Sequence, residues 1–181
     1  VHLLCSPHNP LGFVYAEQDL LKIVALAKKH DVLVISDEIH APLTYADQKF
    51  VPYLSIPAAQ RRGVMITSSS KAFNFAGLKA AIIVTQNQEM FEELNAMPEA
   101  NHWRASLLGG FAMAKAFTDG DQWLAETMAQ LDHNRNLVKE LLAKYLPEAK
   151  YVIPQNSYLA WIDVSHLGLG DNASEYLIEH K

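Results

Sequence analysis

Lys71 lies in the run Ser68-Ser69-Ser70-Lys71-Ala72-Phe73-Asn74, directly after the apolar stretch Val64-Met65-Ile66-Thr67, with a second amine at Lys79. A lysine at the end of a buried strand, among hydroxyls, is placed to condense with an aldehyde. Burial disfavours the ammonium form and frees the amine as a nucleophile. Two further polar clusters follow apolar stretches in the same way. Asn9 sits in Ser6-Pro7-His8-Asn9-Pro10-Leu11-Gly12, and Asp37 and His40 sit in Ser36-Asp37-Glu38-Ile39-His40. Taken singly, each has a plainer reading: Asp37 as a cap, Ser68 to Ser70 as polar loop, Asn9-Pro10 as a turn, His40 as a packed imidazole and Lys79 as a surface charge. Their shared position, each after a strand, joins them.

The elements that would position these groups follow from periodicity. Residues 1–5, 32–36, 64–67 and 80–85 are short apolar runs and read as strands. Residues 17–30 carry Leu20, Leu21, Ile23, Val24, Leu26 and Ala27 at helical spacing. The alternation predicts an α/β fold whose mainly parallel sheet is sandwiched by helices. In such sheets ligands bind beyond the carboxyl ends of the strands, so the three clusters should converge at one rim. Helices are expected over 103–117 and 122–146, strands over 151–154 and 158–163, and a helix over 172–180. The long helix reads as a boundary. It divides a large domain (1–120) from the start of a smaller α+β domain (147–181), with 121–146 as the connecting helix. Val1 starts inside a strand pattern and residues 175–181 break off in a helical one, so the chain reads as an internal piece of a longer protein.

Composition narrows the function classes. Half of the 181 residues are hydrophobic and the formal net charge is −5. Nucleic-acid binding would need clustered Lys and Arg, and the chain offers only the doublets Lys28-Lys29 and Arg61-Arg62. No apolar run reaches the length of a membrane span. A single cysteine, Cys5, excludes an intrachain disulfide and suits a reducing, cytoplasmic setting.

One cofactor has polar ends that match the clusters. Pyridoxal 5'-phosphate carries an aldehyde, a ring nitrogen, a phenolate oxygen and a phosphate. Lys71 would take the aldehyde and later move the substrate's α-proton. Asp37 would keep the ring nitrogen protonated. Asn9 and His40 would reach the phenolate oxygen, and Ser68, Ser70 and Lys79 the phosphate.

The three motifs, with Gly77-Leu78-Lys79 and Pro154-Gln155-Asn156-Ser157-Tyr158-Leu159-Ala160-Trp161, resemble fold type I pyridoxal-phosphate-dependent aminotransferases of classes I and II. Within that superfamily the chain is most similar to the cystathionine β-lyase branch related to MalY and PatB. The resemblance implies that Lys71 is the Schiff-base lysine, Asp37 the partner of the ring nitrogen and Asn9 the partner of the phenolate. It places Ser68 and Ser70 near the phosphate, and Lys79 where most relatives have arginine. Leu11 replaces a usual threonine. His40 stands where many aminotransferases have tyrosine, as in the carbon–sulfur lyase branch, and this tilts the expected reaction toward β-elimination on an amino-acid substrate. The resemblance further implies a homodimer, with the ring-stacking aromatic and the arginine for the substrate carboxylate outside this chain. The piece alone is then expected to be inactive. An aminotransferase-like effector-binding module of a transcription regulator, or an inert truncated domain, are the alternatives.

Overall fold

The computed structural model describes residues 1–170 and 172–180. Four strands form one sheet in the order β1 (His2–Cys5), β2 (Val34–Asp37), β3 (Gly63–Thr67) and β4 (Ile82–Val84). The first two pairings are parallel, with Cys5 opposite Asp37 and Asp37 opposite Ile66. The carboxyl ends of β1, β2 and β3 therefore share one rim.

Side chains alternate across the sheet. Leu4 and Val34 on one face pack with Leu20 and Val24 of α1 (Glu17–Lys29) and with Tyr53 and Leu54. Leu20 is fully buried, a contribution of about 2 kcal/mol. Glu17 and Asp19 open α1 and Lys28 and Lys29 close it, each complementing the helix dipole. The opposite face is more open in this chain, with Leu3 74% and Ile83 47% exposed.

The sheet is mainly parallel, as expected, and the fourth strand is the exception. β3 and β4 pair antiparallel. Residues 68–81 contain only the short 3-10 turn Ala76–Leu78. A parallel return needs a crossover of a dozen or more residues, usually helical, and this segment instead turns back on itself. The sheet is mixed.

The helices beyond it are α2 (Gln88–Asn95), α3 (Glu99–His102), α4 (Leu107–Asp119), α5 (Asp121–Tyr145) and α6 (Ala173–Glu179). The helix expected from residue 103 begins at Leu107, because the Ser106 side chain accepts the Gly109 amide and caps it there. Leu124, Met128 and Leu131 of α5 pack on a second core of Leu43, Ala72, Phe73 and Ala116. That contact lays α5 over the loop carrying Lys71.

The two expected late strands shrink to β5 (Lys150–Tyr151) and β6 (Ile162–Asp163), paired antiparallel. Between them, Pro154 removes a ladder donor and Ser157 adopts φ 76. The backbone of residues 155–157 bonds to Gly12 and Leu43 instead of to a neighbouring strand.

Candidate active site

Each parallel strand delivers a polar group to the rim. After β1 the chain turns through Asn9, which is exposed, and the Asn9 amide donates to Cys5 Sγ at 3.2 Å. At the end of β2 the Asp37 side chain is exposed, with Oδ1 accepting the Ile39 amide at 3.1 Å. After β3 come Ser68 and Lys71. Lys71 is half-buried and lines a cavity of about 390 Å3 with Ser70, Trp123, Leu131 and Tyr158.

His40 joins this group. It is 4% exposed, and neither ring nitrogen has a hydrogen-bond partner. Burial pushes its imidazole below the ordinary value of 6.5; the Lys71 ammonium adds to that shift, and the Asp37 carboxylate opposes it. The two charges predicted to flank a cofactor both act on His40.

The neighbouring carboxylates Asp37 and Glu38 play different parts. Glu38 is 3% exposed, and its Oε1 accepts the Ser36 hydroxyl at 2.9 Å and the Tyr53 amide at 2.8 Å. Burial raises its carboxyl above the usual range against those two hydrogen bonds, and Asp37 adds to the rise. Glu38 therefore braces the turn from inside while Asp37 faces outward.

The serines divide in the same way. Ser68 is 1% exposed; its hydroxyl donates to the Ala80 carbonyl, accepts the Ser70 amide at 3.0 Å and lies 2.7 Å from Ser70 Oγ. Ser70 is the more open of the two. Lys79 is exposed at φ 54, just beyond the 3-10 turn, and its carbonyl accepts the Ser106 amide.

Residues 154–158 form a strap across this rim. The Gly12 carbonyl accepts the Gln155 and Asn156 amides at 2.7 and 3.0 Å. Gly12 has φ 65, and a Cβ there would sit 2.5 Å from Pro154 Cβ, so only glycine allows this approach. Asn156 is fully buried; its Nδ2 donates to the His40 carbonyl at 2.8 Å and to Thr44 Oγ1 at 3.1 Å. The strap is pinned from behind by Arg135 of α5. Its Nη1 donates to the Pro154 carbonyl at 2.7 Å, its Nε to Asp132 at 2.6 Å and its Nη2 to Asp47 at 3.1 Å, with the guanidinium 3.7 Å from the Tyr45 ring centre.

The structure thus brings Asp37, His40 and Lys71 within electrostatic reach, with Ser70 beside Lys71. Asn9 stands at the neighbouring strand end, and Lys79 beyond the turn that follows the lysine loop. Glu38, Arg135, Asn156 and Tyr158 were not singled out as site residues from sequence. Glu38 left one usable sign, a second carboxylate directly after Asp37 at the end of an apolar strand.

This strand order, lysine loop and strap can be set beside known proteins. The aminotransferase class I and II profile matches residues 1–181. The chain belongs to that family. A Mycobacterium tuberculosis protein provisionally named a cystathionine beta-lyase is 43% identical over 178 residues, covering 98% of this chain and 43% of its own length. Cystathionine beta-lyase PatB of Bacillus subtilis is 34% identical, covering 93% of this chain and 44% of its own length. Cystalysin from Treponema denticola, whose crystal structure contains pyridoxal 5'-phosphate, superposes with a TM-score of 0.91 at 30% identity. That match covers 99% of this chain and 46% of cystalysin. The chain spans less than half the length of these relatives. Its fold is that of the fold type I aminotransferases and carbon–sulfur lyases.

Proposed function

We propose that the whole protein to which this chain belongs is a pyridoxal-phosphate-dependent enzyme of amino-acid metabolism, a carbon–sulfur β-lyase acting on cysteine thioethers. The observation that supports this reading is the placement of Asp37, His40 and Lys71 at or just after the carboxyl ends of adjacent parallel strands, with Lys71 opening on a cavity. The names of the related lyases support it over a regulatory effector module.

The free polar groups fit the cofactor. His40 has two buried ring nitrogens without partners, Asp37 turns its carboxylate outward and Lys71 opens on a cavity. In this reading Lys71 holds the aldehyde carbon, Asp37 the ring nitrogen, Asn9 and His40 the phenolate oxygen, and Ser70 and Lys79 the phosphate, with Ser68 bracing that loop. When bound, the cofactor supplies an electron sink for the charge left on the substrate's α-carbon.

The remaining work falls to this chain. Lys71 would take the proton from the substrate's α-carbon. Asp37 would pair with the ring nitrogen and favour its cationic form. His40, held neutral by burial, keeps one N–H to donate and one nitrogen to accept. The net change is a thioether of cysteine plus water giving a thiol, pyruvate and ammonia.

A homodimer and a cytoplasmic setting complete the reading. The apolar row Leu107, Leu108 and Phe111, exposed on α4, supports the first, and the single cysteine supports the second. Among the described residues no helix is long and apolar enough to cross a membrane.

The test is the visible spectrum of the whole protein prepared with pyridoxal phosphate, together with pyruvate release from cystathionine. An absorption band lost in Lys71→Ala, with turnover down roughly a thousandfold, is expected. A colourless wild type overturns the cofactor, and an absolute need for a keto-acid acceptor overturns the lyase.

A further inference from the structure

Asn156 lies fully buried in the middle of the strap and ties together the first two turns of the rim. Its backbone amide donates to the Gly12 carbonyl at 3.0 Å, at the end of the turn that carries Asn9. Its side-chain Nδ2 donates to the His40 carbonyl at 2.8 Å, in the turn that carries Asp37 and His40. A carbonyl only accepts, so the amide nitrogen is the atom that faces it. Nδ2 also donates to Thr44 Oγ1 at 3.1 Å. The backbone on either side is fixed as well. The Tyr45 amide donates to the Gln155 carbonyl at 3.2 Å, and the Ser157 amide to the Leu43 carbonyl at 3.1 Å. Every partner in this network belongs to this chain.

The same strap reaches the His40 ring. Tyr158 follows Ser157, which is held at φ 76, and its ring packs against the imidazole with centroids 5.9 Å apart. Asp37 at the end of β2 and Lys71 in the loop after β3 act on the imidazole as charges. Both ends of His40 are thus set by neighbours, its carbonyl by Asn156 and its ring by Tyr158, Asp37 and Lys71. A buried carbonyl that loses its donor pays its full desolvation, so the turn carrying it moves to find another partner. In the reading above, Asn9 and His40 both reach the phenolate oxygen of the cofactor. One buried residue then holds the two turns that carry them.

Resting on that reading, we infer that Asn156 is a positioning residue: by joining the Gly12 carbonyl to the His40 carbonyl it sets the spacing of Asn9 and His40 across the phenolate oxygen, and it acts on the cofactor through His40. Donors at that oxygen draw off negative charge. A less negative oxygen holds the neighbouring proton on the Lys71 nitrogen less tightly. When His40 is displaced, that proton is held more firmly, and the midpoint of the visible absorption band moves to higher pH.

The experiment titrates the visible absorption band of the whole protein with pyridoxal phosphate bound, in wild type, Asn156→Ala, His40→Phe and the double variant. His40→Phe keeps a ring against Tyr158 but has no donor. Retention of the band shows that each variant is folded and loaded. Asn156→Ala should raise the midpoint by about half a pH unit or more, and His40→Phe should raise it in the same direction. In the His40→Phe background the Asn156→Ala step should largely vanish, because the two residues act on one contact. Asn156→Ser, which leaves a polar group in the gap, takes the place of Asn156→Ala if the alanine variant does not fold. An unmoved midpoint in the Asn156 variant, or an equal step in the His40→Phe background, overturns this inference and leaves the Lys71 assignment standing. A His40→Phe midpoint equal to that of wild type overturns the placement of His40 at the phenolate oxygen, and this inference with it. A colourless wild type overturns the cofactor reading and with it this inference.

Discussion

At the strand ends, the groups that meet the cavity are side chains, carried on ordinary parallel-sheet backbone. In the strap at residues 154–158 the emphasis is reversed. Its amides and carbonyls bond to Gly12, Leu43, Tyr45 and Arg135, and the one side chain it sends to the cavity, Tyr158, is aimed by that backbone. The first region depends on residue type, the second on shape. Changes of chemistry should therefore act at the rim with little loss of fold, whereas changes of volume or φ should act through the strap on everything it touches.

The sharpest way to break that contrast is Gly12→Ala. It adds one methyl group, far from Lys71 in sequence, in a residue with no chemistry. The new Cβ would meet Pro154 Cβ at 2.5 Å and the Asn156 carbonyl oxygen at 2.8 Å, at a φ of 65. The left-handed backbone and the overpacking together should cost about 3 kcal/mol or more. Denaturant unfolding of the whole protein checks this. A loss below about 0.5 kcal/mol, the range of an ordinary surface change, would show that the strap is loosely held.

A smaller effect is expected at the back of the strap. In Arg135→Lys the charge remains but the planar fork is lost, so Asp132, Asp47 and the Pro154 carbonyl can no longer be served together. Because the guanidinium side chain is only 11% exposed while both carboxylates are about half exposed, the cost should come mainly from the Pro154 carbonyl and the lost packing on Tyr45. That amounts to about 1–2 kcal/mol. Unfolding of the whole protein in denaturant checks this, and an unchanged unfolding free energy would show that the fork of Arg135 is not what holds the strap.

The same contrast explains what could be read from the sequence. The common rim position of Asn9, Asp37, His40 and Lys71 was legible because each is a chemically distinctive residue placed after an apolar run, and parallel strands end on one side of the sheet. α1 and α5 were legible because long stretches of apolar periodicity fix them to within a residue or so at each end. The direction of β4 was not, since nothing in residues 68–81 distinguishes a crossover from a return until their hydrogen bonds are known. The strap was also hidden. Asn156 and Ser157 look like ordinary turn residues, and their partners lie more than a hundred residues away, at Gly12, His40 and Leu43. Ser68 was legible as a hydroxyl at the right loop, but its engagement with Ala80 depends on a chain reversal that composition does not encode.

His40 is where the two regions touch, and it gives the finest test. Its carbonyl is held by the strap and its ring faces the rim charges. Burial and the Lys71 ammonium lower its folded value below the ordinary 6.5. The native state then binds fewer protons than the unfolded chain between those two values, so stability rises with pH across that window. The contribution of His40 is complete above the ordinary histidine value and is lost as pH falls through it toward the folded one. Unfolding free energies of wild type and His40→Gln, measured from pH 7.5 downward, should diverge in this sense: wild type loses stability on acidification faster than the variant. The difference curve isolates His40 from the other histidines, which titrate in both proteins. If Tyr158 shields the ring, as its packing indicates, then in Tyr158→Ala water reaches the imidazole, its folded value moves back toward 6.5, and the acid-side loss in the difference curve becomes shallower. Parallel curves for wild type and His40→Gln would mean that the imidazole is solvated and that strap and rim act independently.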